Sequence, residues 1–352
     1  MISGAGGSIG SALALRLAGI APARLVLLEA AESNLYALKR RWAASGAASG
    51  AASDFGGVRG PGPAVPMTPL LGSIDNEPLL EHIFSRYAPK LVFHAAAFKH
   101  VPLLEEHPLA AIGNNIFGTE TLTRVAAAHG ARVVLLSSDK AVEPTSVMGA
   151  TKRAAEEIVA GAGGVVLRLG NVLATRDSVV KIFANQIARG GPITVTDPAA
   201  RRYFLTLDEA VNLLLIAAAQ PEAGAILAPV LASTHFVSDL AHFMADTLAP
   251  GREIGIDFTG VRAGDKETEQ LWSAGNVTRP LEKRFGEGAL VYVDAERLAP
   301  EQLGAGLANL RASVHAYDLA GALAHLRWLV GDYRPSQQVQ ELARQITLPV
   351  SL

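Results

Sequence analysis

Gly4-Ala5-Gly6-Gly7-Ser8-Ile9-Gly10, close to the start of the chain, is the stretch that decides the fold. Its glycines recur at every third residue. Glycine lets the backbone turn sharply and approach a pyrophosphate at the N-terminus of a helix. A helical segment, 12–17, and an apolar strand, 24–29, come next. A glycine-rich turn alone is common, but this order predicts dinucleotide binding by the three glycines together with Ser8 and Ile9.

Two further features support a bound dinucleotide. Glu29 ends the second strand about 20 residues after the turn, where an acid holds the adenosine ribose hydroxyls. A carboxylate there repels a 2′-phosphate, so NAD is favoured over NADP, which stays possible. Ala95, Ala96 and Ala97 follow a strand that ends at His94. Small residues there let the backbone lie against the cofactor, although tight packing is an alternative explanation.

The second informative motif lies about 130 residues further on. Ser137-Ser138-Asp139-Lys140 follows the strand 132–136, and Met148-Gly149-Ala150-Thr151-Lys152 comes shortly after it. Short-chain dehydrogenases usually have Tyr-x-x-x-Lys at this second position, and here it is Met-x-x-x-Lys. A thioether cannot exchange a proton, so Asp139 and Lys140 are the nearest acid/base candidates. A solvated turn is the alternative for these residues considered alone.

Composition limits the function classes. The 352 residues carry 31 basic and 33 acidic side chains, a net charge of −2, and no basic run typical of nucleic-acid binding. Without cysteine, disulfides and thiolate metal sites are impossible, and we predict no metal site. The longest apolar run, 213–219, is far shorter than the roughly 20 residues that span a bilayer. We therefore expect no membrane span and a cytoplasmic location.

Strands alternating with helices predict an α/β protein with a Rossmann-like, doubly wound parallel sheet. Strands are expected at 24–29, 90–94, 132–136 and 165–169, with helices at 111–130, 178–189, 207–219 and 318–330. We predict a dinucleotide-binding domain over 1–170, with a mobile surface loop at 43–66. Residues 171–352 are predicted to form a smaller mixed lobe that returns some segments to the sheet.

The first strand is short for a buried one, because only Met1-Ile2-Ser3 precedes Gly4. We therefore expect a shortened form with an incomplete central strand, in which an apolar upstream extension would raise the melting temperature.

The chain resembles the nucleotide-sugar 4,6-dehydratases of the extended short-chain dehydrogenase/reductase group, of the polysaccharide-biosynthesis type that acts on UDP-N-acetylglucosamine. The resemblance covers nearly the whole chain except 43–66. It rests on 4–10, His94-Ala95-Ala96-Ala97-Phe98-Lys99-His100-Val101-Pro102-Leu103, 138–145, 148–153, 168–172, Arg202-Tyr203-Phe204-Leu205-Thr206, Arg262-Ala263-Gly264-Asp265-Lys266 and Tyr333-Arg334-Pro335. Met148 resembles the branch that retains configuration at C5, whose members often carry an N-terminal membrane region.

This resemblance implies roles for individual residues. Asp139 would be the acid for the C6 hydroxyl, Lys140 the base at C5, and Ser138 a partner of the C4 oxygen. Lys152 would bond the nicotinamide ribose, one helical turn beyond Met148 on the same face. Lys140 can serve as a base near neutral pH if desolvation or a neighbouring cation such as Lys152 depresses its pKa.

The substrate and remaining cofactor contacts are likewise implied by resemblance. Asn171, Arg202 and Arg262 would contact the nucleotide diphosphate, because the guanidinium fork suits phosphate, although a lone Arg is normally a solvated surface residue. Lys99 and His100 would border the sugar, with a surface position as the alternative. Asp75 and Asn115 join the predicted cofactor contacts, although a lone Asn in a helix is usually solvated or bonded to its own backbone. The chain departs from the family at two places. Ala263 and Asp265 stand where the family usually has Pro and Glu, and Gly72-Ser73 lacks the Asp that often holds adenine there.

The predicted function is therefore NAD(P)-dependent dehydration of UDP-N-acetylglucosamine, or a close UDP-sugar, to the 4-keto-6-deoxy sugar in surface polysaccharide biosynthesis. A homo-oligomer is expected, and the chain would be soluble or the soluble part of a membrane-associated family member. Two alternatives stay open. The first is a nucleotide-sugar epimerase, which uses the same hydride transfer at C4 but needs no acid at C6. The second is a catalytically silent dinucleotide-sensing or scaffold protein, which would not need the acid/base Tyr that Met148 replaces.

Overall fold

The fold is built on one large, mostly parallel β-sheet. The computed structural model describes residues 1–45, 65–173, 175, 178–281 and 289–347. Its strands are β1 (Ile2–Ser3), β2 (Leu25–Glu29), β3 (Met67–Leu71), β4 (Leu91–His94), β5 (Arg132–Ser138), β6 (Val165–Leu169), β7 (Asn171–Val172), β8 (Ile193–Val195), β9 (Arg201–Arg202), β10 (Phe204–Leu205), β11 (Ile226–Pro229), β12 (His235–Phe236), β13 (Ile256–Phe258), β14 (Val277–Pro280) and β15 (Leu290–Asp294).

Helices fill both faces of this sheet and the lobe beyond it. They are α1 (Ser8–Ala18), α2 (Glu32–Ala44), α3 (Glu77–Tyr87), α4 (Val101–Glu106), α5 (Pro108–Ile112), α6 (Gly118–Ala128), α7 (Val147–Gly161), α8 (Val179–Ala188), α9 (Leu207–Ala218), α10 (Val237–Leu248), α11 (Pro300–His315), α12 (Leu319–Leu329) and α13 (Gln337–Thr347). A π-helical turn, Gly113–Phe117, joins α5 to α6, and a 3-10 turn, Asp139–Ala141, follows β5.

The sheet has the strand order β14-β15-β11-β6-β5-β4-β1-β2-β3. Strands β1 to β6 and β11 pair in parallel, and β15 and β14 add an antiparallel edge. Strands β2 and β3 lie on one side of β1, and β4, β5 and β6 lie on the other, so the strand order reverses at β1. In such sheets ligands bind at this point, outside the carboxyl ends of the strands. The predicted Rossmann-like, doubly wound fold is confirmed.

Alternating side chains of the central strands bury two separate layers. Leu25 and Leu27 of β2 face a cluster that includes α1, α2 and α9. Val26 and Leu28 face the opposite cluster, with α3, α6 and α7. Because both faces are covered, the strands read as continuous apolar runs rather than as alternating ones, which is why they could be recognised in the sequence.

The second half of the chain contributes both to the sheet and to a lobe beside it. Strands β11, β14 and β15 extend the sheet. Helices α8 and α10 pack around β8 and β13 in a cluster of their own. Helix α12 packs against α7, and α13 against α4. The start of the predicted 43–66 loop belongs to α2, which ends at Ala44, and 46–64 lie outside the described residues. Within the described ranges, no helix is long and apolar enough to cross a membrane.

Candidate active site

The glycine turn between β1 and α1 leaves no room for side chains. Gly4 has φ +68°, and a Cβ there would lie 2.6 Å from the backbone nitrogen of Ala96. A Cβ on Gly10 would lie 2.2 Å from the carbonyl oxygen of Gly4. The turn is therefore in close backbone contact with the segment after β4, and the structure brings together the predicted glycine and alanine residues.

Helix α1 begins at this turn without a side-chain cap. Its N-cap is Gly7, whose missing side chain cannot accept from the first-turn N–H groups. These groups and the helix dipole favour an anion, such as a pyrophosphate, at this end. Ser8 and Ile9 form the first turn. The close packing of the glycines and the uncapped helix fit the predicted dinucleotide.

Glu29 lies at the end of β2, beside the same turn. Its carboxylate accepts hydrogen bonds from the backbone N–H of Gly6 at 2.8 Å and of Ala31 at 3.0 Å, and the residue is buried. The side chain is therefore fixed against the glycine turn. Asp75 is an exposed residue that precedes α3.

The loop after β4 is held by the buried side chain of Asn115. The side chain of Asn115, in the π-helical turn, accepts from Phe98 N at 2.8 Å and donates to Phe98 O at 3.0 Å and to Thr151 Oγ1 at 3.0 Å. Single π turns recur at functional sites. Asn115 is therefore not a solvated helix residue: it joins the alanine loop to α7, the helix that carries Lys152.

His94 fixes the end of β4 in its neutral form. Its Nδ1 lies 2.8 Å from Ser3 Oγ, and its Nε2 lies 2.9 Å from Thr119 Oγ1. Because the Thr119 hydroxyl donates to Asn115 O, Thr119 accepts from Nε2, and Nδ1 accepts from Ser3. Burial, and then the charge of Lys152, lower the pKa of His94 to about 3.

Ser138, Asp139 and Lys140 form one connected group where β5 ends. Asp139 Oδ1 accepts from the Ser138 hydroxyl at 2.8 Å and from Lys140 Nζ at 3.0 Å. Asp139 is fully buried, and its Oδ2 has no hydrogen-bond partner among the described residues. A buried carboxylate oxygen without a partner is costly, and such an atom beside a hydroxyl and an amine is suited to act on a ligand.

The pKa of Lys140 is shifted in the direction opposite to the one that a base near neutral pH requires. Burial lowers it, but the carboxylates of Asp139 and Glu269 outweigh burial, so the pKa is raised above the ordinary lysine value. The cation that opposes this rise is Arg202, not Lys152. The condition of a depressed pKa is therefore not met, because Asp139 and, from a distant part of the sequence, Glu269 bring two carboxylates to the amine.

Lys152 and Met148 share one face of α7 but differ in surroundings. Lys152 Nζ donates to the carbonyl of Leu136 at 2.6 Å, at the end of β5. Burial lowers the pKa of Lys152 to about 8, against the opposing effect of Glu156. Met148 is buried in an apolar cluster with Val101 and Leu104 of α4. Its position is that of a packing residue.

Arg202 and Asn171, predicted to contact a diphosphate, both bond protein groups in this structure. Arg202 is buried and donates to the carbonyls of Arg201, Lys266 and Glu267 at 2.8–2.9 Å. Asn171 Oδ1 accepts from Lys140 Nζ at 3.1 Å. Asn171 therefore contacts the Ser138–Lys140 group directly, whereas Arg202 holds the backbone of Lys266 and Glu267 and acts on Lys140 through its charge.

The other predicted substrate residues are more exposed. Arg262 is exposed and pairs with Asp265, from Nη2 to Oδ2, at 2.8 Å. Lys99 and His100 are exposed between the alanine loop and α4. Arg262 belongs to the same segment as Lys266.

Two buried acidic residues were missed in the sequence. Glu269 is 2% exposed, with its Oε1 3.5 Å from Lys140 Nζ and its Oε2 3.4 Å from Lys266 Nζ. Glu156 receives two bonds from Arg168, at 3.0 and 2.7 Å, and one from Ser137 at 2.6 Å. Glu156 could have been suspected from its position one turn after Lys152. Glu269 stands in a polar segment that gives no such signal.

Comparison with known proteins agrees with this architecture. Fold and site together define a Rossmann-like protein of the short-chain dehydrogenase/reductase type. The sequence model of the family described as polysaccharide biosynthesis protein matches residues 1–285. The chain belongs to the polysaccharide biosynthesis protein family.

Three curated relatives illustrate the similarity. CapD, a capsular polysaccharide biosynthesis protein of Staphylococcus aureus, is 36% identical over 77% of this chain and 44% of its own length. EpsC, a probable polysaccharide biosynthesis protein of Bacillus subtilis, is 35% identical over 79% and 45%. The chain thus spans less than half the length of these two proteins. A protein of Rickettsia canadensis named UDP-glucose 4-epimerase is 37% identical over 58% of this chain and 65% of its own length.

Solved structures share the fold. Pen from Bacillus thuringiensis has a TM-score of 0.67 and 28% identity, over 77% of this chain and 82% of its own. DesIV, a dTDP-glucose 4,6-dehydratase from Streptomyces venezuelae solved with NAD bound, has a TM-score of 0.60 and 20% identity, over 77% and 86%. At that identity DesIV supports the fold alone.

Proposed function

We propose that this protein uses NAD to dehydrate a nucleotide sugar, UDP-N-acetylglucosamine or a close UDP-sugar, to its 4-keto-6-deoxy form. The observation that carries the proposal is the contact between Asp139 and Lys140, an acid and a base at the carboxyl end of β5. A dehydrogenase needs no acid for a leaving hydroxyl. The membership in a polysaccharide biosynthesis family is in keeping with a nucleotide-sugar substrate.

NAD is the cofactor that the turn supports best. Gly4, Gly7 and Gly10 would hold its pyrophosphate, Glu29 its adenosine ribose, and Lys152 its nicotinamide ribose. The carboxylate of Glu29 is fixed by two backbone bonds and opposes a 2′-phosphate. Held by these residues, NAD would supply the hydride acceptor for C4 of the sugar and the hydride donor for C6.

Ser138 supplies a proton route that does without a tyrosine. Its hydroxyl already donates to Asp139 Oδ1 at 2.8 Å. As the C4 hydroxyl becomes a ketone, Ser138 accepts its proton and passes its own proton to Asp139. Asp139 then gives a proton to the C6 hydroxyl, which leaves as water. The carboxylate begins and ends the cycle ionised, so this part of the proton balance closes.

Lys140 carries the second proton. The C4 ketone acidifies the C5 hydrogen, which the neutral amine of Lys140 removes and later replaces. Because the pKa of Lys140 is raised, the neutral amine is the minor form near neutral pH. The rate should therefore rise with pH as Lys140 loses its proton.

Product analysis with labelled substrate tests the proposal. UDP-N-acetylglucosamine deuterated at C4 should lose one water and carry the deuterium at C6, with a solvent proton at C5 and no accumulating NADH. NADH formed in proportion to product would show an ordinary dehydrogenase. No conversion by a protein that binds NAD would favour the sensing or scaffold alternative.

A 4-epimerase is the second candidate, because the relative of Rickettsia canadensis bears that name. An epimerase changes only the C4 stereocentre, so the label would stay at C4 and no water would be lost. The amine of Lys140 beside Asp139 favours dehydration, since epimerisation at C4 needs no base at C5, whereas both reactions need an acceptor for the proton of the C4 hydroxyl. A homo-oligomer and a cytoplasmic location stay predictions.

A further inference from the structure

Glu269 is a buried carboxylate that contacts mainly cations. Its residue is 2% exposed, and its two oxygens lie 3.5 Å from Lys140 Nζ and 3.4 Å from Lys266 Nζ. The charge of Arg202 also acts on it. Burial of an ionised carboxylate is costly unless cations compensate it, so this acid depends on the amines around it.

The segment that carries Glu269 is fastened to the protein just before it. The Arg202 guanidinium donates to the carbonyls of Lys266 and Glu267, and Arg201 N donates to Glu267 O at 2.9 Å. Lys266 Nζ donates to Val142 O at 2.5 Å, which ties the same segment to the loop after Lys140. Glu269 thus reaches Lys140 from a backbone that is fixed on two sides.

Lys140 is held from three directions. Asp139 Oδ1, at 3.0 Å, lies on its own loop, Asn171 Oδ1, at 3.1 Å, lies on β7, and Glu269 Oε1 lies at 3.5 Å. Arg202 is the cation that faces this group. Glu269 is the acceptor that both carries a charge and comes from a separate segment, so it can fix the amine independently of the Asp139 acid.

We propose that Glu269 is a positioning residue for Lys140: its carboxylate holds the amine at the end of β5 and sets the pH range in which that amine serves as a base. This inference rests on the proposed function for the role of Lys140 as a base. A carboxylate within ion-pair distance stabilises the ammonium form. Removing the charge of Glu269 should therefore let Lys140 lose its proton at a lower pH.

The experiment compares Glu269→Gln with Glu267→Gln in the full chain. Glu267 is an exposed carboxylate of the same segment and serves as the matched control. Two readouts are measured: kcat for UDP-N-acetylglucosamine as a function of pH, and the titration of the Lys140 side chain by NMR of 15N-lysine-labelled protein, assigned with Lys140→Arg. In Glu269→Gln both the acid limb of kcat and the Lys140 titration should move down by roughly 1–3 pH units, and neither should move in Glu267→Gln.

A loss of kcat by the same factor at every pH, with an unmoved Lys140 titration, would reduce Glu269 to a structural residue. Should Glu269→Gln not fold, Glu269→Asp withdraws the carboxylate by one methylene and should give a smaller downward shift. An unmoved titration in that variant would also overturn the inference. If the unaltered protein forms no product while the Lys140 titration still shifts, the proposed function fails and the assignment of Glu269 stands.

Discussion

Replacing Gly10 with alanine should abolish tight NAD binding. A Cβ at this position would lie 2.2 Å from Gly4 O and 3.0 Å from Ala5 Cα, whereas ordinary contacts are 3.4–4 Å. The Gly4 carbonyl would have to retreat by about 1.2 Å, the difference between 3.4 and 2.2 Å. It cannot do so alone, because Gly4 has a positive φ and is packed against Ala96. The turn must therefore open, and the pyrophosphate site is lost.

We expect the Kd for NAD to rise at least tenfold, about 1.4 kcal/mol, and overpacking to cost about 1–3 kcal/mol of stability. Titration calorimetry measures the first effect and thermal unfolding the second. Gly19→Ala is the matched control at the other end of α1, where the nearest atom, Arg16 O, would be 3.4 Å from the new Cβ. If Gly10→Ala binds NAD within twofold of the unaltered protein, the turn is not the cofactor site.

Three further predictions concern single side chains. Asp139→Asn and Lys140→Met should each lower kcat by about 10²-fold or more while NAD still binds, and near-normal turnover would remove the residue from the mechanism. Glu29→Ala should relax discrimination against NADP, as Kd values for both cofactors would show, and tighter binding of NADP by the unaltered protein would contradict the assignment. His94, with its pKa lowered to about 3, stays neutral when folded but gains a proton when unfolded below its ordinary value of 6.5. Stability should thus fall as the pH drops through 6.5, and at pH 5.5 it should be about 1.4 kcal/mol below its value well above pH 6.5. Denaturant unfolding of His94→Gln should lack this part of the loss.

The elements around the site could be predicted because their signals are local. A buried parallel strand is a continuous apolar run, and a glycine spacing marks a turn that only backbone can fill. Strand ends of a parallel sheet meet at one edge, which is why Gly4, Ala96 and Asp139 were predicted to belong to one site. The short strands β11, β14 and β15 were not assigned, since their pairing joins segments far apart in the chain.

The charges of the site could not be predicted from the motif. Asp139 and Lys140 are neighbours in sequence, but Glu269 and Arg202 approach them only when the second half of the chain folds over the strand ends. The direction of the Lys140 pKa depends on this balance of two carboxylates against burial and one cation. The sequence motif therefore identifies the amine but does not predict the pH at which it loses its proton.

Met148 shows how the proposed chemistry is divided among the residues that remain. An apolar side chain packed against Val101 and Leu104 cannot take the C4 proton, so a group that contacts both the sugar and a proton acceptor is required. Ser138 meets the second condition through its bond to Asp139. In this arrangement one carboxylate receives the proton from C4 and delivers it at C6. Lys140 is thereby left free for C5, and its companion Glu269 can set its pH range without disturbing the acid.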